Sequence, residues 1–247
     1  MEQSVSSPAD RRNLSGALLK YIACGSMLLD HIGASCLEAG VFQGVSVAGL
    51  WASGTPRRLL VLDILLRSIG RLAFPLYCFL LVEGLCHTRS IRRYALRLLV
   101  FALLSEVPFD WAFFRTPVYW QYQNVYWTLL LGLAALAALR HSDRDGGTAA
   151  RGYALALGCA VLAELLHTDY GALGVLLIAA LYLLRADRTR QCVTGALLTA
   201  YEITAPLAFV LAWKYNGRRG RGNTKALYLF YPVHLTVLAM ITNCILV

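Results

Sequence analysis

Apolar residues fall in long runs along this chain rather than at alternate positions, and short polar stretches rich in arginine separate the runs. A helix that crosses the hydrocarbon core of a bilayer needs about 20 mainly apolar residues. The segments 14–34, 70–87, 92–110, 122–140, 151–167, 169–185, 191–213 and 225–246 meet that pattern. They predict an all-α, polytopic integral membrane bundle of about eight transmembrane helices. Residues 1–13 read as a polar cytoplasmic arm and 14–247 as one transmembrane domain. The connection 35–69 is long and partly apolar, but Gly40, Gly44, Gly49 and Gly54 interrupt it. Pro56 followed by RRLLVLDILLRS predicts a short amphipathic helix at the interface. An inward extension of the second span fits the same residues, and 35–55 is also compatible with a re-entrant segment.

Composition sharpens the class. The chain has 247 residues, 58% hydrophobic and only 15% charged, whereas soluble domains run nearer half apolar and a quarter charged. Lysine and arginine total 23 against 14 acidic residues, a net charge of +9. A basic surplus also suits nucleic-acid binding, but here the arginines sit in clusters between apolar runs, so no nucleic-acid partner is expected. The seven cysteines form no C-x-x-C pair and lie mostly inside apolar runs, where they read as small core residues. Neither a disulfide framework nor a metal site is expected. The first apolar segment ends in no small-residue cleavage site, so it reads as a span rather than a cleaved signal peptide.

Cationic loops face the cytoplasm. Arg11 and Arg12, then Arg89, Arg92 and Arg93, then Arg140, Arg144 and Arg151, then Arg185, Arg188 and Arg190 recur at every second loop. This alternation predicts a multi-pass protein of the bacterial inner membrane with a cytoplasmic N-terminus. Two loops break it in an eight-span arrangement: 56–71, with Arg57, Arg58, Arg67 and Arg71, and 214–225, with Lys214, Arg218, Arg219, Arg221 and Lys225. Either 191–213, which contains Pro206, does not cross simply, or these loops have work that outweighs the topology signal.

Ionisable groups inside spans point to chemistry. Lys20, Asp30 and His31 lie in the first, Glu83 in the second, Arg97 and Glu106 in the third, Glu164 and Glu202 in the fifth and seventh. A central charge costs about 2.5–3.5 kcal/mol on insertion scales, so each should face a partner or an aqueous cavity. Helix-to-helix pairing explains any one of them; together they predict a polar cavity. Lys20 and His31 are eleven residues apart, which on a helix overshoots three turns by about 20°, so they share a face about 16 Å apart along the axis. Histidine exchanges a proton near neutral pH and suits a general base, although an isolated membrane histidine also serves as a packing hydrogen-bonder. Asp30 does not share the His31 face, so its role in orienting His31 does not follow from sequence.

Arg67 and Arg71, Glu83 and His87, Arg93 and Arg97, and Glu106 and Asp110 are each one turn apart. Arginines ringing a cytoplasmic mouth, among them Arg71, Arg89, Arg93, Arg97, Arg218 and Arg219, are candidates for donor phosphates; positive-inside anchoring explains several of them equally well. Tyr215, Asn216 and the turn Gly217–Gly220 form a donor-rich segment, and His234 follows Pro232 as a second intramembrane imidazole. Asn124, Asp169 and Tyr231 complete the polar-cavity candidates, with Glu83 and Glu106. Hydrolase, zincin and NTPase signatures are absent from the sequence.

Six stretches, in order, resemble the TraX family of bacterial membrane proteins: KYIACGSMLLDHIGA (20–34), IGRLAFPLYCFLLVEGLCHTRSIRRYALRLLVFALLSEVPFD (69–110), NVYWTLLLGL (124–133), TDYGALGVLL (168–177), KYNGRRG (214–220) and LYLFYPVHLTVL (227–238). The resemblance covers nearly the whole chain. It implies an integral-membrane acetyltransferase that uses acetyl-CoA; in one branch the acceptor is the pilin of a conjugative pilus, and related transmembrane acyltransferases modify sugars. In the O-acetylating relatives the first span carries Lys or Arg, ten residues, then a catalytic His, and Lys20 and His31 fit that spacing. The implied arrangement is acetyl-CoA held on its phosphates by cytoplasmic arginines, its arm running past Lys20, and an acceptor amine or hydroxyl (pilin, glycan or lipid) deprotonated by His31. Asp30, Glu83 or His234 are candidates to orient it or relay protons. A solute transporter, which also places charges in broken spans, and a non-catalytic part of a conjugation apparatus are the alternatives.

Overall fold

A computed structural model of the chain describes residues 12–43, 45, 49–50, 54, 56–144, 149–222 and 226–244. The first eleven residues of the predicted arm, and Gly44 and Lys225, lie outside them. Among the described residues the fold is all-helical, and the only strand-like pairings are two isolated bridges, Leu14 to Tyr215 and Gln123 to Thr168. The helices are α1 (Gly16–His31), α2 (Arg57–Gly70), α3 (Ala73–His87), α4 (Ile91–Phe114), α5 (Val125–Arg144), α6 (Ala149–Leu165), α7 (Gly171–Leu183), α8 (Arg188–Leu198), α9 (Ala208–Trp213) and α10 (Leu227–Cys244). A π-helical segment, Ile32–Val41, continues α1, and a single 3₁₀ turn, Ala205–Leu207, precedes α9.

Local chemistry sets the ends. Ser15 caps α1 by accepting the Leu18 N–H at 3.3 Å. The remaining free N–H groups of the first turn meet carbonyls of the 214–220 loop: Gly16 N donates to Arg218 O and Ala17 N to Arg219 O. Gly217 and Gly220 both have φ near +75°, which lets that loop fold back over Ser15. Ser90 caps α4 on Arg93 N, and Asp187 caps α8 on Thr189 and Arg190 N.

The core is built from α1, α3, α5, α7 and α10, with Leu19, Leu76, Phe79, Leu133, Ile178 and Leu235 fully buried. The outer faces are apolar as well. Leu96, Val100, Leu103, Leu104 and Val107 of α4, Leu155, Leu157, Val161 and Leu165 of α6, and Val233, Val237 and Met240 of α10 all stand exposed. Apolar faces this large mark contact with a partner or a membrane. Two helices among the described residues are long and apolar enough to cross a membrane, within Val125–Ser142 and Leu227–Cys244.

Three expectations change in detail. Residues 191–213 are not one span: α8 runs to Leu198, a turn follows, and the 3₁₀ turn and α9 return antiparallel. The hairpin closes because Gly195 leaves room for the Phe209 ring. Trp213 Nε1 faces Thr189 Oγ1 at 3.5 Å across the open end of the hairpin, and Leu14 N donates to Lys214 O, which sets that end beside the start of α1. Loop 214–222 therefore lies at the same end as Arg12 and loop 185–190. Residues 35–41 belong to the π-helical extension of α1, and most of 44–55, on which the re-entrant reading depends, lies outside the described residues. Helix α2 lies against that extension, with Leu60 packed near Leu37, Phe42 and Leu50; its outward side carries Val61, Leu62, Ile64 and Leu65.

The α1–α2 contact tightens where Gly70 meets Asp30: an added Cβ would overlap the Asp30 Cβ and backbone. Gly70→Ala is expected to lose about 1–3 kcal/mol of stability, the usual cost of overpacking, read as a lower unfolding midpoint in detergent. Gly25→Ala, whose Cβ meets nothing within 4 Å, should keep or raise the midpoint.

Candidate functional site

Lys20, Cys24 and His31 stand at helix positions 0, +4 and +11 on α1, and that stripe faces the interior. At the N-terminal end of α1 it borders a mouth of about 720 Å³ lined by Lys20, Glu83, His87, Arg97, Tyr215 and Arg219. Arg97 lies over the Tyr94 ring at 5.4 Å. Glu83 is held by Arg188 at 2.9 Å, and the Arg188 guanidinium also sits 4.6 Å from the centre of the Phe79 ring. Among the described residues, the lysine and arginine side chains lining the mouth are those of Lys20, Arg97 and Arg219.

Deeper in, the mouth adjoins a slot of about 90 Å³ across shared walls of Lys20, Leu80, Tyr94 and Tyr228. Cys24, Met27, Tyr77, Tyr126 and Tyr231 form its far part. The phenols are anchored. Tyr77 Oη lies 3.0 Å from Cys24 Sγ, and Tyr126 Oη donates to Tyr228 O at 3.3 Å. Pro232, having no N–H, leaves that Tyr228 carbonyl without its helical partner.

Beyond Tyr231 lies a histidine pair. His31 Nδ1 is 2.7 Å from His234 Nε2, and His234 Nδ1 is 2.6 Å from Phe230 O. Phe113 and Tyr231 pack edge-on against the His31 ring at 5.2 and 5.7 Å. Asp30, next in sequence, turns away and pairs with Arg67 at 2.6 Å; the same guanidinium reaches Glu38 at 3.1 Å.

A further pocket, of about 450 Å³, opens at the opposite end of the bundle, lined by Arg71, Tyr122, Glu164, His167, Asp169, Tyr170, Tyr201 and Glu202. Arg71 is bound to Glu202 at 2.9 Å, and Tyr122 Oη donates to Asp169 at 3.0 Å. Desolvation in the α6–α7 connection pushes the Asp169 carboxyl up to about 6, with the Tyr122 hydroxyl bond acting the other way. His167 and Tyr170 hold left-handed backbone, φ +50° and +65°, on either side of Asp169. Tyr170 is stacked on Phe74 at 3.6 Å. Strained backbone of this kind persists where its surroundings over-determine it, and it clusters at ligand sites.

A profile of the TraX protein family matches residues 15–242. The chain belongs to the TraX family. A curated relative, the probable fimbrial assembly protein FimC, serogroup H1, of Dichelobacter nodosus, is 32% identical over 256 aligned residues, covering 92% of this chain and 95% of the relative. No solved structure matches.

Within this TraX-family fold the predicted site residues separate into groups. Lys20, Glu83, Arg97, Arg219 and Tyr215 meet at the mouth, and Tyr231, His31 and His234 follow in depth. Arg71 and Asp169 belong to the opposite pocket, so Arg71 is no part of the mouth: it precedes α3, whose far end carries Glu83. Arg89, Arg93 and Arg218 do not line the mouth. Arg93 and Arg218 contribute backbone N–H groups to the Ser90 cap and to Asn216 Oδ1. Asn216 itself is a turn former rather than a cavity group. Glu106 and Asn124 bond each other, with Trp127 Nε1 donating to Glu106 at 3.0 Å. Asp110, one turn on, accepts Tyr119 N at 2.7 Å. Sequence reasoning passed over Arg188, Met27, Tyr77 and Tyr126; the signal for Cys24 was its place on the Lys20–His31 stripe.

Arg188 joins α8 to α3 and is largely buried, so removing it strands Glu83. Arg188→Ala is expected to cost about 3 kcal/mol and to lower the unfolding midpoint by more than Glu83→Gln, which leaves a neutral group in place. Thermal unfolding of both variants in detergent checks this order.

Proposed function

We propose that this protein is a multi-pass membrane acetyltransferase that moves an acetyl group from acetyl-CoA to an amine or hydroxyl of an acceptor, with His31 as the general base. The observation that carries the reading is the order of groups along one face of α1: a cationic mouth, a narrow aromatic slot, then an imidazole about 16 Å farther in. The mouth has the size and cations to suit a nucleotide with its phosphates, and the slot suits a thin arm. Apolar outer faces on α4, α6 and α10 support a membrane setting. The α8–α9 hairpin supports a cytoplasmic N-terminus, since loops 87–91, 185–190 and 214–222 then gather their arginines at the end that carries Arg12.

Acetyl-CoA supplies an activated acyl group when bound at such a site. Lys20, Arg97 and Arg219 hold anionic oxygens at the mouth, and the rings of Tyr77, Tyr126 and Tyr231 exclude water from the slot. The acceptor enters from the pocket of Arg71, Asp169, Tyr170 and Glu202. His31 Nε2 takes the proton from the acceptor nitrogen or oxygen as that atom's electron pair bonds to the thioester carbonyl carbon. As the carbon–sulfur bond breaks, the sulfur keeps the electron pair, and His31 returns the proton to it as a thiol. The imidazole ends neutral, ready for a second turnover.

The family and the name of its Dichelobacter relative support a pilus-related acceptor, with a glycan or lipid as the other classes. The relative's name also favours a second reading, a non-catalytic part in fimbrial assembly. Purified protein in nanodiscs, given radiolabelled acetyl-CoA and cell-envelope acceptor, separates the two. Transfer that disappears in a folded His31→Ala variant is expected; transfer at the wild-type rate in that variant removes His31 from the chemistry, and no turnover with any envelope fraction favours the assembly role. Arg97→Ala and Arg219→Ala should each raise KM for acetyl-CoA about tenfold, the loss of about 1.4 kcal/mol of uniform binding, with kcat unchanged.

A further inference from the structure

We infer that His234 is the positioning residue for the proposed base: it selects the tautomer of His31 and shares the positive charge that His31 acquires. The inference rests on the acetyltransferase reading and adds to it the group that makes His31 basic at the correct nitrogen. Its foundation is a chain of contacts from a carbonyl through both imidazoles to the ring of Tyr231, which lines the slot. A carbonyl oxygen can only accept, so the 2.6 Å contact between His234 and Phe230 O puts the hydrogen on His234 Nδ1. A neutral imidazole has one N–H, so His234 Nε2 carries a lone pair. The atom facing it at 2.7 Å is His31 Nδ1, which must donate. His31 is thereby left with its hydrogen on Nδ1 and a lone pair on Nε2.

The surroundings hold this arrangement. The two imidazole planes lie within 15° of each other, and Phe113 and Tyr231 flank His31 edge-on. His234 is 6% exposed, and Phe230 packs on its ring at 4.7 Å. Asp30, the carboxylate closest in sequence, is committed to Arg67. The orienting group is therefore an imidazole and not the carboxylate usual in catalytic triads. That choice fits an apolar bundle. A buried carboxylate would bring a charge needing its own partner in the resting enzyme, whereas two imidazoles and a carbonyl are neutral until His31 takes a proton. When it does, the Nδ1–H to His234 bond becomes charge-assisted and strengthens, so the stabilisation arises during the reaction rather than before it.

The test compares His234→Phe, which keeps a ring and loses the acceptor nitrogen, with His234→Gln, which returns an acceptor oxygen. Acetyl transfer is measured beside wild type and His31→Ala, together with ¹⁵N NMR of the histidines in labelled protein. His234→Phe is expected to lower kcat by about 10²–10⁴ with KM for acetyl-CoA within about twofold, and His234→Gln to recover at least about tenfold of that loss. The wild-type spectrum should show His31 unprotonated at Nε2, and His234→Phe a mixture of tautomers. Wild-type kcat in His234→Phe, or a hydrogen on His31 Nε2 in the resting wild type, overturns the inference; the spectrum decides alone if neither variant folds. Should His31→Ala also retain full activity, the base assignment itself falls, a result distinct from failure of His234 alone.

Discussion

An ionised side chain inside an apolar bundle has to find an opposite charge, and the pairs that satisfy this demand are also what fastens the helices together. Arg67 on α2 reaches Asp30 of α1 and Glu38 of its π-helical extension; Arg71 before α3 reaches Glu202 in the α8–α9 turn; Arg188 at the start of α8 reaches Glu83 on α3. Each pair joins elements distant in sequence, and the first two occupy the end of the bundle remote from the N-terminus. A charge satisfied within the protein exerts little pull on which side of a membrane its loop resides. Arg67 and Arg71 of the basic cluster at 57–71 therefore have structural partners within the bundle.

That pairing also decides where reactivity remains. Once Asp30 and Glu83 are committed to arginines, the interior groups still facing the Lys20 stripe are phenols, a thiol and two imidazoles. None needs a counterion in its neutral form, so they can line a cavity without a buried net charge. Along the Lys20 stripe, the described cations that lack a carboxylate partner lie at the mouth, where water screens them and an anionic ligand could replace that water. The gradient from charged mouth to neutral interior is what a charged carrier with a thin uncharged arm would match.

Much of the fold was legible because it rests on local signals. The apolar runs 14–34, 92–110 and 122–140 located helices α1, α4 and α5, whose length and composition are local properties. The spacing of Lys20 and His31 placed them on one inward stripe because a helix fixes the angle between residues. Legibility stopped where a relation was tertiary. Residues 191–213 have the composition of a single span, and what folds them back is the fit of Phe209 against Gly195, invisible to a hydropathy window. Arg71 resembled other arginines beside spans, and only the position of Glu202 assigns it to the far pocket. His31 and His234 are separated by 203 residues, so the sequence offered His234 only beside Asp30 and Glu83 as a candidate to orient His31, and nothing in it chose among the three.

The hairpin puts loop 214–222 at the same end of the bundle as Arg12 and loop 185–190, and it has a consequence for the mouth. If 191–213 had crossed once, Arg219 would lie at the opposite end from Lys20. Folding back brings Lys214 to Gly220 onto the first turn of α1, where the carbonyls of Arg218 and Arg219 take up its free N–H groups. The N-terminus of α1 is then closed as an anion site formed by backbone, and the anion binding proposed for this mouth would fall to side chains. A loop of the form KYNGRRG suits both tasks: two glycines with positive φ let the backbone cap the helix, and Arg219, one of the two arginines between them, lines the mouth with Lys20. Helix capping and the lining of the mouth are thus joined in one segment, and a substitution at Gly220 should disturb α1 and the mouth together, whereas one at Arg219 should affect the mouth alone.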